Sequence, residues 1–259
     1  MPRFAANLTM MFNEVPFLDR FKAASDAGFK AVEFLFPYEH SPVELEAKAN
    51  AAGVEIALFN MPAGNWAAGE RGITGLPGRE QEFRDGVDKA LTYAEQLRVP
   101  RLHAMAGIAP AGVDAQACRA TLIANLKYAA RKLAEHNIVL LLEAINTRDI
   151  PGFIVSTQKD SHAICEAVGE PNLKMQMDLY HMQVMEGDLA TSLKRYAQQC
   201  GHVQIAGCPE RHEPDTGEIR YEYLFRLLDE IGYTGWLGCE YRPAGKTTDG
   251  LKWFHTAVH

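Results

Sequence analysis

The chain has 259 residues, which suits either one α/β barrel or two domains of about 150 residues each. Apolar residues make up 47% and charged residues 23%, with 21 glycines and 13 prolines, a profile that excludes disordered, collagen-like and coiled-coil chains. Lysine and arginine number 26 against 33 aspartates and glutamates, and no window is rich in basic residues, so the formal charge of −7 argues against a nucleic-acid partner held on a basic face.

The opening MPRFAANLTMMF has one positive side chain, and Asn7 and Asn13 interrupt its apolar run, so it reads as a first strand and not as a signal peptide. No apolar run nears the ~20 residues that span a bilayer, so no membrane partner is expected. Five widely spaced cysteines without a C-x-x-C pair argue against a disulfide framework or a structural zinc site, and point to a cytoplasmic protein.

In chain order the strand candidates are FAANL (4–8), AVEFLF (31–36), EIALFN (55–60), RLHAMA (101–106), IVLLLEA (138–144), LKMQMD (173–178), HVQIA (202–206) and WLGCE (236–240). Between them the apolar period becomes helical, as at Phe83, Val87, Ala90, Leu91, Ala94 and Leu97. Ser41-Pro42-Val43-Glu44 reads as a capping box with proline in the first turn. Gly28, Gly53, Gly169 and Gly232 each fall where a helical pattern stops and a strand follows, as a left-handed cap requires. The expected fold is a single (β/α)8 TIM barrel over residues 1–259, with a doubly wound open sheet as the competing architecture. Three long segments, 61–78, 145–156 and 207–217, follow strands and are expected at the face where barrels build active sites.

The last four strands carry the chemistry. They end in or carry Glu143, Asp178, Gln204 and Glu240, separated by 35, 26 and 36 residues, each about one strand-helix unit. Buried carboxylates are costly unless paired, protonated or bound to a cation. An oxygen-only set of three carboxylates and one amide suits Mg²⁺ or Mn²⁺ better than zinc. A substrate held on such a cation through a carbonyl and a neighbouring hydroxyl has an acidified C–H, because the metal stabilises the enediolate. One glutamate can remove that proton and the other return one to the adjacent carbon, an aldose-ketose isomerisation with no organic cofactor. His181 is a candidate donor to a substrate oxygen, and Arg211 and His212 are candidates to meet a substrate carboxylate. His202 reads as a core histidine, Glu33 and His103 as supporting or barrel-filling residues, and Trp66 as a ring that could close over the site. AGKTT (244–248) fails as a phosphate loop because its first glycine would fall at Glu240. No dinucleotide, zinc-protease or serine-hydrolase motif is present.

The words ANLTMMF, GFKAVEFLFPY, PAGNWAAGERGI, LPGREQEFRDGV, EAIN with IPGF, DLYHMQ, GHVQIAG, RHEPDTGEI and GWLGCEYRP resemble the hydroxypyruvate isomerase family of xylose-isomerase-like barrels over nearly the whole length. The resemblance implies interconversion of hydroxypyruvate and tartronate semialdehyde, with Glu143 and Glu240 as proton donor and acceptor. It implies a metal at Glu143, Asp178, Gln204 and Glu240, although related ketose epimerases carry histidine at the position of Gln204. The QIAGCPERHEPD stretch resembles a sibling branch, the 2-oxo-tetronate isomerases. Both branches imply a small hydroxylated 2-oxo acid as partner, and a homo-oligomer is left open. A metal-dependent DNA endonuclease of the same barrel superfamily is the reading from a different class; the acidic balance and the oxygen ligands argue against it, as convergent carboxylates argue against a non-catalytic acid-binding protein.

Overall fold

Each strand predicted from the sequence pairs in parallel with its sequence neighbour, and the last returns to the first, so the sheet closes into an eight-stranded barrel. The computed structural model describes residues 2–257. In chain order the elements are β1 (Arg3–Asn7), α1 (Arg20–Asp26), β2 (Ala31–Phe34), α2 (Pro42–Ala52), β3 (Glu55–Asn60), α3 (Glu80–Leu97), β4 (Arg101–His103), α4 (Ala115–Ala134), β5 (Val139–Glu143), α5 (Gln158–Val168), β6 (Leu173–Asp178), α6 (Leu179–Met185), α7 (Leu189–Tyr196), β7 (Cys200–Gln204), α8 (Tyr221–Glu230), β8 (Trp236–Cys239) and α9 (Lys252–Ala257).

Parallel strands are covered on both faces, so they read as unbroken apolar runs. In β5, Leu140, Leu141 and Leu142 are all fully buried. Helix α2 begins as its sequence requires: the Ser41 hydroxyl accepts from the Glu44 N–H, and the Glu44 carboxylate accepts from the Ser41 N–H at 3.1 Å. It ends at Gly53, whose φ of 64° is the left-handed cap.

Strands β2, β4 and β7 stop short of the sequence reading, β7 at Gln204 in place of residue 206. After Phe34 the Leu35 N–H turns to the Thr9 hydroxyl at 2.9 Å, so β2 ends there. Residues 104–106 leave the sheet to hold the loop 61–78 instead: the Met105 carbonyl accepts from the Thr74 hydroxyl at 2.8 Å, and Ala106 bridges Gly72. Two helices, α6 and α7, fill the crossover between β6 and β7. Among the described residues no helix is long and apolar enough to cross a membrane, and all five cysteines are free thiols.

Candidate active site

The four strand-end side chains singled out in the sequence meet at one mouth of the barrel. Glu143 and Asp178 are the last residues of β5 and β6, Gln204 is the last of β7, and Glu240 lies one residue past β8. Asp178 has two tasks. Its Oδ1 caps α6, accepting from the N–H groups of Tyr180 (2.8 Å) and His181 (3.4 Å), and its Oδ2 faces the site. A helix cap and a site carboxylate are here the same residue.

Arg211 joins the cluster from the loop after β7. Its Nη2 lies 2.8 Å from Glu240 Oε1, 3.3 Å from Asp178 Oδ2 and 3.4 Å from His181 Nε2, and its guanidinium packs over the Tyr180 ring. Burial opposes the Arg211 charge, but the charges of Glu240, Asp178 and Glu143 outweigh it and raise the pKa. Burial pushes the Glu143 carboxyl well above its ordinary range, and the charges of Glu240 and Asp178 push the same way against Arg211. Burial likewise raises Glu240, to about 8, against the pull of Arg211. Asp178 is raised by burial while Arg211 and the cap N–H groups hold it down. Carboxyls raised above their ordinary range suit proton transfer to and from carbon.

His181 lies between the two carboxylates that precede it, with Nε2 at 3.8 Å from Glu143 Oε1 and 3.6 Å from Asp178 Oδ2. Its Nδ1 receives the Asn146 side-chain amide at 2.6 Å and the Asn146 backbone N–H at 3.5 Å. Asn146 is itself oriented by Asp149, which gives a backbone N–H to Asn146 Oδ1 (2.7 Å) and takes Asn146 Nδ2 on Oδ2 (3.1 Å). With Nδ1 an acceptor, the proton of the neutral ring sits on Nε2. Burial, with the Arg211 charge behind it, depresses the imidazole pKa well below its usual value and keeps the ring neutral. His181 therefore presents an N–H donor to the site.

Gln204 faces Glu240 with its amide nitrogen. Nε2 donates to Glu240 Oε2 at 2.6 Å and to Glu33 Oε1 at 2.8 Å, while Oε1 accepts from Gln176 at 2.6 Å. To offer oxygen to a cation, this amide and that of Gln176 must turn over together. Glu33 lies beneath, also accepting from Asn7 (3.0 Å) and contacting His202 Nε2 (2.8 Å), and Asn7 reaches on to Glu240 at 3.2 Å. His202 is thus a core histidine with a partner, and Glu33 anchors the pair that carries Glu240. His103 backs Glu143 at 3.7 Å and contacts Asn60 at 3.2 Å; burial, then the nearby His202, lowers its pKa to about 3.

Glu33 can cross to β7 only because residue 238 has no side chain. A Cβ at Gly238 would fall inside contact distance of all three carboxyl atoms of Glu33. We predict that Gly238→Ala costs about 1–3 kcal/mol of stability by overpacking and lowers activity as Glu33 is displaced. An unchanged urea midpoint would show that Glu33 relocates freely.

His212 is turned away, with Nδ1 at 2.7 Å from the Arg242 carbonyl. Trp66 stands at the rim, 38% exposed, against Phe36 and under Arg71, whose guanidinium is 4.0 Å from the ring. The residues that sequence reading did not single out are Asn7, Asn60, Asn146, Gln176 and Tyr180. Four of them are amides inside or just after apolar strand runs, and that interruption is the signal they leave in the sequence.

The donor set fits a hard divalent cation. Glu143 Oε1 is buried without a hydrogen-bond partner. Glu143 and Asp178 bring carboxylate oxygens within 4.8 Å of each other and of a His181 ring nitrogen, which, being protonated, would face an ion's substrate and not ligate the ion. Three raised carboxylates share a single guanidinium, so the pocket carries an excess of potential negative charge that a cation would neutralise.

Residues 21–257 match the model of a family described as xylose isomerase-like TIM barrel. The chain is 56% identical to a 2-oxo-tetronate isomerase of Cupriavidus necator, covering 98% of this chain and 97% of that protein. It is 48% identical to a hydroxypyruvate isomerase of Escherichia coli, covering 98% of each. A crystal structure of a protein from Brucella melitensis named AP endonuclease, family 2, superposes with a TM-score of 0.97 at 52% identity and 99% coverage of each chain. The closed barrel, the carboxylate mouth and these matches together place the chain in the xylose isomerase-like TIM barrel family, as an enzyme of the isomerase class within its hydroxypyruvate isomerase and 2-oxo-tetronate isomerase group.

Proposed function

We propose that the protein interconverts hydroxypyruvate and tartronate semialdehyde by moving a proton between adjacent carbons through an enediolate, with Glu143 and Glu240 as proton carriers. The observation that supports this best is a pair of buried glutamates with raised carboxyl pKa values, separated along the barrel by Asp178 and Gln204. Glu143, Asp178 and Glu240, with Gln204 once its amide is turned, would hold Mg²⁺ or Mn²⁺. Such an ion supplies positive charge opposite the oxygens that become negative when a C–H proton leaves.

The chain's own residues do the rest. One glutamate, ionised, takes the proton; the other, protonated, gives one to the neighbouring carbon. His181 donates its Nε2–H to a substrate oxygen. Arg211 has a guanidinium whose fork matches a carboxylate. His212, held by Arg242, braces the loop that carries Arg211. The reaction is redox-neutral and requires no organic cofactor. The free thiols are in keeping with a cytoplasmic enzyme acting on a small hydroxylated 2-oxo acid.

The identity to the Cupriavidus protein favours a second reading, isomerisation of a four-carbon 2-oxo-tetronate by the same residues. The two differ by one hydroxymethyl group at the pocket. Turnover of the three- and four-carbon acids, each with Mg²⁺ and with Mn²⁺, separates them by the ratio of kcat/KM. Turnover of neither acid under any metal would reject both. The name given to the Brucella protein raises DNA cleavage again. A mouth of three carboxylates in a chain of net charge −7 repels a polyphosphate, and an abasic duplex is expected to stay uncut with Mn²⁺.

A further inference from the structure

We propose that Arg211 and the divalent cation compete for one position, so that metal binding drives the guanidinium outward to the mouth, where it takes the substrate carboxylate. The inference rests on the metal-dependent 2-oxo-acid isomerase reading above. The two oxygens nearest the guanidinium, Glu240 Oε1 and Asp178 Oδ2, belong to carboxylates assigned to the cation. A hard cation takes its oxygens at about 2.1 Å. Nη2 already sits 2.8 and 3.3 Å from those two atoms, so an ion taking the same two oxygens would compete with the guanidinium for them and repel its charge. One of the two must leave.

Three features mark the arginine as the group that moves. Its hydrogen bonds to the two carboxylates both run through Nη2, which also faces the protonated Nε2 of His181 at 3.4 Å, donor against donor, while Nε is buried with no hydrogen-bond partner. A guanidinium with five N–H donors is poorly used in this pose, and the edge left unpaired is one that a carboxylate fork would fill. The backbone is held in place, with the Arg211 N–H on the Gly207 carbonyl and the Arg211 carbonyl receiving the Arg242 N–H, both at 2.8 Å, in a left-handed conformation at φ 60°. Movement is thereby confined to the side chain. The Tyr180 ring, 4.9 Å from the guanidinium, is fixed through its hydroxyl by Asp149 (2.7 Å) and Arg148 (2.9 Å). It offers a rigid face along which the side chain can swing.

The exchange links two binding events. Metal releases the arginine that reads the acid, and an acid that holds the arginine at the mouth clears the metal's ligands, so each tightens the other by the same factor. In the absence of metal, Arg211 keeps the carboxylates paired.

The test is Mn²⁺ titration by calorimetry into metal-stripped protein, wild type and Arg211→Met, together with a crystal structure of the Mn²⁺-loaded wild type. The expected results are a Kd at least tenfold tighter for R211M, and a loaded structure in which Nη2 has left both Asp178 and Glu240. Equal Kd values for the two proteins overturn the exchange and leave the metal reading intact. A tighter Kd with Arg211 still bonded to both carboxylates also overturns it, since charge relief alone would then explain the gain. The loaded wild-type structure decides the matter even if R211M does not fold. Failure of the wild type to bind Mn²⁺ removes the exchange and the metal reading together, whereas a folded R211M that does not bind overturns the exchange alone.

Discussion

Glu143→Gln and Glu240→Gln are each expected to lower isomerisation by about 10³-fold, the scale at which a positioned acid or base acts, and to do so with opposite exchange behaviour. Conversion of hydroxypyruvate into tartronate semialdehyde removes a proton from C3 and places one on C2. If each glutamate serves one carbon, a variant lacking one keeps half of the reaction. In deuterated water with saturating Mn²⁺, the protein retaining the C3 base washes deuterium into hydroxypyruvate without forming product. The other variant washes deuterium into tartronate semialdehyde. Glutamine keeps the shape of the side chain and an oxygen for a cation but cannot carry the proton, so the split isolates proton transfer from packing. The two sites are unequal in their surroundings. Glu240 is held by Arg211, Gln204 and Asn7, whereas Glu143 has one oxygen buried and unpaired. Glu240→Gln is therefore expected to disturb its neighbours more, with Gln204 Nε2 and the new amide competing as donors. If both variants lose both exchange reactions, or if both retain isomerisation, the two-glutamate mechanism is wrong.

The barrel and the level of its site were legible because both obey a period. One strand-helix unit recurs, and a polar side chain recurs at the same place in it, so Glu143, Asp178, Gln204 and Glu240 could be aligned without coordinates. What the sequence could not carry was direction and partnership. Gln204 holds the predicted position but turns a nitrogen toward Glu240, because Gln176, two strand residues below the site, claims its oxygen. Arg211 and His212 are adjacent in a loop, yet a left-handed turn at Arg211 sends one into the cluster and the other to a backbone carbonyl. Loop geometry of that kind has no period to read. Strands β2 and β4 ended early for a related reason, since their exit residues pair with loops distant in sequence.

The second large effect is expected at a residue that touches none of the carboxylates of the mouth. Asn146→Asp should lower kcat by about 100-fold, the size of losing one aligned donor to a developing negative charge, with a smaller change in KM. The side chain of Asn146 donates to His181 Nδ1 and so fixes the proton on Nε2, where it points between Glu143 and Asp178. Aspartate can only accept when ionised. It would draw a proton to Nδ1 and leave a bare Nε2 lone pair facing the carboxylates, which removes the donor and adds repulsion. The adjacent Asp149, now facing a second carboxylate where its Oδ2 had a donor, should also shift and loosen Tyr180. A double-mutant cycle separates the tautomer effect from that loosening. Against a His181→Ala background the tautomer is gone, so Asn146→Asp should cost little further activity. If it costs the same 100-fold there, Asn146 acts through Asp149 and Tyr180, and the orientation of His181 is not what it protects.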